Sequence, residues 1–304
     1  MAYSFAARSD PATVEVEDFI GAVRKAYKGN SVEAMLEVAE MFQGLAANRE
    51  FLRDALIAEL KRIGAERHNL GSFAPQSFIV HRALPFSLRL NLWVPPAGSA
   101  RKIEQEARIY SYERAHDHNF SLLTVGAGGP GYRTRVFEYD RSAIAGYDGE
   151  PVEMTHLEDT DLPTGKAMIY RPLRDIHEQL APDAPSMSLN LLVVEEKEIV
   201  EQPQYFFDLE KRTVLPMNEN EVGRRVGFLR AVGYFADERC AGLLFDLARQ
   251  SRSPSLRAAA VHAIRTGFPE SEPELEELAK ADGHPLVLRE LQPAALQVAA
   301  AGPL

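Results

Sequence analysis

Residues Ala115–Tyr132 read AHDHNFSLLTVGAGGPGY, two imidazoles bracketing an aspartate ahead of an apolar run and a glycine-rich turn. On an extended chain, side chains at i and i+2 share a face, so His116 and His118 point together and Asp117 points away. Two imidazoles on one face begin a metal-ligand set. The apolar run reads as a strand over 118–125. The segment GAGGPGYR reads as a hairpin turn: it has no Lys-Ser/Thr pair to cradle phosphate, and the strand-like YRTRVFEYD follows it.

The same texture extends outward from Ser77 to Phe207, where short runs are divided by Pro, Gly and Asp. In FSLRLNLWV, strict alternation places Phe86, Leu88, Leu90, Leu92 and Val94 on one face and Arg89, Asn91 and Trp93 on the other. Further strands are expected over 106–112, 132–139, 152–157, 166–171 and 187–195, a spacing that suits a β-sandwich or barrel.

Both flanks read as helical. Between Val14 and Ile63 the chain has no proline, and Val38, Met41, Phe42 and Leu45 recur at helical spacing, which predicts helices over 14–27, 32–46 and 49–63. Asn48 is placed to cap the third. After residue 219, RRVGFLRAVGYFADERCAGLLFDLARQS lies over LRAAAVHAIRTGFPESEPELEELAKAD at an offset of 31 to 32 residues, and SPSLR at 253–257 is echoed by HPLVLR at 284–289. Ser253 before Pro254 predicts a helix start, and Gly267 its end. Helix pairs at this period resemble HEAT-like repeats, whose apolar faces are buried only by stacking on neighbours. The resemblance implies a short docking stack, with His262 and His284 structural.

The 304 residues carry a net charge of −10 and a pI near 5.4, which argues against nucleic acid or an anionic membrane surface as partner. The runs EEKE and EPELEEL read as solvated charge. Cys240 is the sole cysteine and cannot form an internal disulfide. The first residues lack a basic, then apolar, leader pattern, and no apolar run reaches the roughly 18 residues of a membrane span, so the cytoplasm is the expected location.

The His-Asp-His opening resembles the first motif of the cupin superfamily, small β-barrels that hold a metal in the barrel mouth. In most cupins a glutamate follows the second histidine by four or five residues; here those positions are Leu122 and Leu123. Lacking that glutamate, the chain is most similar to the three-histidine thiol dioxygenases of the cysteine dioxygenase type. The segment MIYRPLRDIHEQLAPDAPSMSLNLLV resembles their second motif, which implies His177, 59 residues after His118, as third ligand. His156, 38 residues after His118, is the competitor. The chain departs from that family on the last strand: Asn190 and Leu192 stand where histidine and tyrosine of a hydrogen-bond relay belong, while Ser188 is kept.

The resemblance implies a mainly β core, a cupin double-stranded β-helix barrel over 71–210, preceded by a helical segment, 1–70, and followed by HEAT-like helical repeats, 219–304. It implies Fe(II), or another divalent metal, on His116, His118 and His177. Arg89 is the first candidate for a substrate carboxylate, with Arg133, Arg135 and Arg171 as alternatives. Asn91, Trp93, Tyr132 and Asn190 complete the expected substrate-binding set. The expected activity is that of a non-heme iron oxygenase (dioxygenase) on a small anionic amino-acid-like or thiol metabolite and O2. A metal-dependent lyase or isomerase, or a metabolite-binding protein, is the alternative. The helical regions are expected to serve a homodimer or a protein partner.

Overall fold

The computed structural model describes residues 3–29, 31–65, 76–83, 85–194, 201–216 and 220–292. The boundaries expected at 70–71 and at 219, the run EEKE and everything after 292 lie outside the described residues. The chain opens with β1 (Tyr3–Phe5), α1 (Val16–Ala26), α2 (Ser31–Ala47) and α3 (Arg49–Gly64). It continues through β2 (Ser77–Ala83), β3 (Phe86–Trp93), α4 (Ala100–Tyr110), β4 (Ser121–Gly128), β5 (Arg133–Tyr139), β6 (Met154–Asp161), β7 (Ala167–Tyr170), β8 (Asp175–Gln179) and β9 (Ser186–Val193). A hairpin of β10 (Tyr205–Asp208) and β11 (Thr213–Pro216) precedes α5 (Glu221–Val232), α6 (Glu238–Gln250), α7 (Pro254–Gly267), α8 (Glu272–Asp282) and α9 (Pro285–Arg289). Two compact units result, one of residues 1–139 with 155–195 and the other of 140–154 with 196–304.

In the first unit a six-stranded sheet runs in the order β1-β7-β4-β9-β3-β2, and a three-stranded sheet in the order β6-β5-β8. Period-two alternation gives the larger sheet two different apolar faces. One face presents Leu88, Leu90, Leu123, Val125, Ile169, Leu189 and Leu191 to Phe19, Val23, Met35, Val38, Phe42 and Leu45 of α1 and α2. Burying each such large side chain contributes about 1.5–3 kcal/mol, so this interface fixes the helices to the sheet. Asn48 Oδ1 accepts from Phe51 N at 3.1 Å and starts α3 as its sequence predicts. The other face adds Trp93, Leu122, Met168, Tyr170 and Leu192 to a cluster with Tyr112, Tyr132 and Val136.

A mainly β chain closed into a barrel is therefore the wrong description. More of the described residues lie in helices than in strands, and the sheets stay open, with β1 and β2 ending one and β6 and β8 the other. The alternation that suggested a barrel is produced equally well by a sheet that is a middle layer, one face under helices and the other over a second sheet. The strand expected over 106–112 is also corrected: these residues belong mostly to α4. Ser99 caps it through Lys102 N, and the Lys102–Glu106 and Arg108–Glu104 pairs support it at i,i+4. Local helix chemistry outweighed a short apolar alternation.

The glycine-rich segment joins β4 to β5, but the hairpin expected there is corrected: β4 pairs with β7 and β9 in the larger sheet and β5 with β6 and β8 in the smaller, so the turn carries the chain from one sheet to the other. Gly131 has φ +88°, and a Cβ there would collide with the carbonyl oxygen of Leu162, whose N–H bonds Tyr132 O at 3.0 Å. Gly131→Ala combines a left-handed backbone with a clash against main chain, and is expected to destabilise the protein by about 2–4 kcal/mol. The denaturant midpoint measures it; a midpoint equal to wild type would contradict this reading of the turn.

The second unit has its own core, centred on α7, where Ala259, Ala260, Val261, Ala263 and Ile264 are buried with Leu244, Leu275 and Val287. Its helices gather on α7, which packs against α5, α6, α8 and α9. Ser253 occupies the N-cap position with Pro254 following, but its hydroxyl makes no capping bond. His262 Nδ1 lies 3.1 Å from the buried Glu290 carboxylate, and His284 Nδ1 accepts from Leu286 N at 3.2 Å. His262 thus reaches from α7 to the end of α9, and His284 caps the start of α9.

Candidate metal centre

Two segments of the first unit bring three histidines together beside the larger sheet's second face. His116 and His118 lie on the extended segment just before β4, rather than inside the strand as the sequence suggested. His177 is on β8, and the backbones of His116 and His177 exchange both N–H···O bonds, at 3.0 and 2.9 Å. This antiparallel bridge brings residues 61 positions apart side by side. His118 O accepts from Leu173 N at 2.7 Å, which ties the second histidine to the β7–β8 turn. Asp117 points away, fully buried, and accepts from the Tyr139 hydroxyl at 2.6 Å. The alternation read from the sequence holds.

The ligand nitrogens of His116, His118 and His177 all lie within 4.8 Å of one another. His118 Nε2 and His177 Nε2 are 2.9 Å apart, a distance that a shared proton or a shared cation explains. His116 Nδ1 is 2.8 Å from the backbone oxygen of Arg114. A carbonyl can only accept, so Nδ1 carries the proton and Nε2 keeps its lone pair. Burial pushes the His116 pKa down to about 4, and burial with neighbouring positive charge holds His177 well below the usual imidazole value. Both are neutral at physiological pH, the form that ligates metal. The tyrosine ring of Tyr170 packs on His177 with centroids 4.2 Å apart, and Phe120 stacks on His118 at 4.4 Å. The cluster has the donor set for a divalent metal ion.

A cavity of about 150 Å³ opens beside the cluster, and Arg89, Asn91, Trp93, Tyr132 and Asn190 all line it. Their roles differ. Trp93 Nε1 donates to Ser188 Oγ at 2.9 Å, and Asn190 Nδ2 donates to the backbone oxygen of Arg89 at 3.2 Å, so both side chains brace the wall. Arg89 has no carboxylate partner among the described residues, its Nε is buried without an acceptor, and burial pushes its pKa down to about 10. The other arginines are engaged: Arg133 with Asp161, Arg135 with Glu178, and Arg171 with Asp175 and Glu138. Asn91 Oδ1 is also buried without a donor.

His156 lies on β6, exposed, with Nε2 2.7 Å from Asp159 Oδ1 and its ring against Phe137. It is not part of the cluster. The cavity also has walls that the sequence did not single out: Gln76, Tyr110, Tyr170 and Gln179. Gln179 had a legible signal, since it stands two residues after His177 on one strand. Gln76 had none. Its Nε2 donates to Ile109 O at 3.2 Å, which fixes the amide and leaves Oε1 buried without a donor.

The site is thus a three-histidine cluster at the mouth of a small polar-lined cavity in an antiparallel α+β unit. No protein-family model matches the chain, and no curated protein matches it in sequence. Among solved structures it is similar to salicylate 1,2-dioxygenase from Pseudaminobacter salicylatoxidans, with 10% identity, 47% of this chain and 33% of that chain covered, and a TM-score of 0.26. It is similar also to the DMSP lyase DddQ from Ruegeria pomeroyi DSS-3, with 11% identity, 40% and 47% covered, and a TM-score of 0.23. The chain spans about a third of the dioxygenase's length and about half of the lyase's. No helix among the described residues is long and apolar enough to cross a membrane.

Proposed function

We propose that the first unit is a cupin-like metal-dependent enzyme, with one divalent ion on His116, His118 and His177 and a small amino-acid-like metabolite bound beside it. The observation that carries this reading is the pairing of two features in one cavity: three converging imidazoles, and buried polar atoms of Arg89, Asn91 and Gln76 without partners. Buried polar groups are almost always satisfied, so orphans facing a cavity describe a ligand. Arg89 offers donors for a carboxylate; Asn91 Oδ1 and Gln76 Oε1 offer acceptors for an ammonium or hydroxyl group. Three neutral ligands leave the charge of a divalent ion uncompensated, which favours an anion such as a carboxylate or thiolate.

Iron is the preferred metal of this reading, and the reaction an oxygenation. When bound, Fe(II) would supply open coordination positions for substrate and O2 and the electrons that O2 chemistry requires. The chain's own residues bind and orient the substrate through Arg89, and Trp93, Tyr132 and Tyr170 wall the cavity against water. Burial raises the phenol pKa of Tyr132 and Tyr170 and keeps both protonated; the Tyr170 hydroxyl donates to Met168 Sδ at 3.9 Å, which leaves Tyr132 as the candidate donor. A lyase or isomerase at the same site is the second reading, favoured by the Tyr132 hydroxyl and by Asn190 and Leu192 in place of a relay. The second unit's helices would serve as a HEAT-like docking stack.

Tag-free protein reconstituted anaerobically with Fe(II) and given a panel of small amino acids and thiols separates the readings. Oxygen uptake that depends on one of them is the expected result. Turnover without oxygen uptake would replace the oxygenase by the lyase or isomerase. Ligand binding without turnover would leave a metabolite-binding protein.

A further inference from the structure

We infer that Gln179 is a positioning residue for the histidine cluster: its side-chain amide, by adopting one of two orientations, sets which nitrogen of His177 carries the proton. The inference rests on the metal-site reading above. On β8, residues two apart share a face, so Gln179 stands beside His177. It is buried, and its amide Nε2 lies 2.8 Å from His177 Nδ1.

The contrast with His116 gives this contact its meaning. The Nδ1 of His116 faces a backbone carbonyl 2.8 Å away, which fixes one tautomer permanently. The Nδ1 of His177 faces an amide, which presents either a donor or an acceptor after a half-turn of its terminal torsion. With the amide nitrogen toward the ring, Nδ1 accepts, the His177 proton sits on Nε2, and Nε2–H donates to His118 Nε2 across 2.9 Å. Every ring nitrogen along that chain is then satisfied by protein alone. With the amide oxygen toward the ring, Nδ1–H donates to Oε1, and the Nε2 lone pair faces the centre of the cluster.

Metal uptake therefore involves one proton moving from Nε2 to Nδ1 of His177 and one half-turn of Gln179, with no change in the charge of the imidazole. No backbone has to move. An amide is suited to this task where a carboxylate or a carbonyl is not, because only the amide satisfies both tautomers. Gln179 in this sense lets the site stay closed without a cation and open to one.

The test uses the full tag-free chain and zinc as the probe, with affinity measured by competition against a chromophoric chelator. Gln179→Met offers Nδ1 neither partner and is expected to weaken zinc binding about 10- to 100-fold. Gln179→Glu, which only accepts, is expected to restore most of that affinity. In metal-free protein, 15N spectra of the imidazoles are expected to show His177 as the Nε2–H tautomer in wild type and as Nδ1–H in Gln179→Glu. Wild-type zinc affinity in folded Gln179→Met, or one and the same His177 tautomer in metal-free wild type and Gln179→Glu, would overturn the inference. Failure of wild type itself to bind zinc would instead overturn the metal site, and the metal-free spectra would still decide the role of Gln179.

Discussion

His177→Ala is expected to lower divalent-metal affinity by more than about 100-fold, while His156→Ala leaves it at the wild-type value. Loss of a group that merely orients a ligand costs about 10- to 100-fold, so loss of a ligand must cost more. The two histidines are a fair comparison, since both sit on strands of the three-stranded sheet. They differ in where the sheet puts them. His177 is buried and its nitrogen meets those of His116 and His118. His156 is exposed and turned to Asp159. The variants are compared at equal helical and strand signal, because removing a buried ring also opens a cavity. Equal metal affinity in wild type and His177→Ala would remove the third ligand, and a loss confined to His156→Ala would move it.

Arg89→Met is expected to act in opposite directions on binding and on stability. Hydrogen bonds to a charged group are worth about 1.5–3 kcal/mol, so affinity for a carboxylate ligand should fall about 10- to 100-fold. In the ligand-free protein the same substitution should stabilise by about 1 kcal/mol, since it removes a half-buried guanidinium whose Nε has no acceptor and fills its place with apolar atoms. Arg89→Lys keeps the charge but loses the planar fork, and should bind the carboxylate more weakly than wild type. Calorimetric titration and denaturant unfolding read the two effects. A ligand affinity that does not change, or a ligand-free protein that becomes less stable, would show Arg89 to be a structural residue.

What the sequence disclosed here depended on periodicity. The alternation in FSLRLNLWV correctly separated Leu88 and Leu90, which meet the helices, from Arg89, Asn91 and Trp93, which face the cavity. It failed at Leu92, which is exposed near the strand's end. The same rule placed His116 beside His118 and turned Asp117 away. Closure was not legible, because a period of two states which residues share a face and is silent on whether the outermost strands pair. The strand at 106–112 was a misreading of the same kind, a short alternating run inside a capped helix.

The site's remaining walls were illegible for a different reason. Gln76, Tyr110 and Tyr170 come from a turn, a helix end and a strand end that meet only through tertiary packing. Trp93 and Asn190 show the converse: each lines the cavity, yet their polar groups are committed to Ser188 and to the Arg89 backbone. Facing a cavity and recognising its occupant are separate properties, and hydrogen-bond accounting distinguishes them.

Whether His116, His118 and His177 together hold one metal ion is decided by X-ray absorption of the tag-free protein loaded with one zinc per chain. The expected spectrum has three imidazole donors at about 2.0–2.1 Å, the distance of ordinary zinc–histidine bonds, with the remaining position taken by an oxygen ligand or anion. A spectrum with one imidazole or none, or a protein that binds no zinc at all, would contradict it.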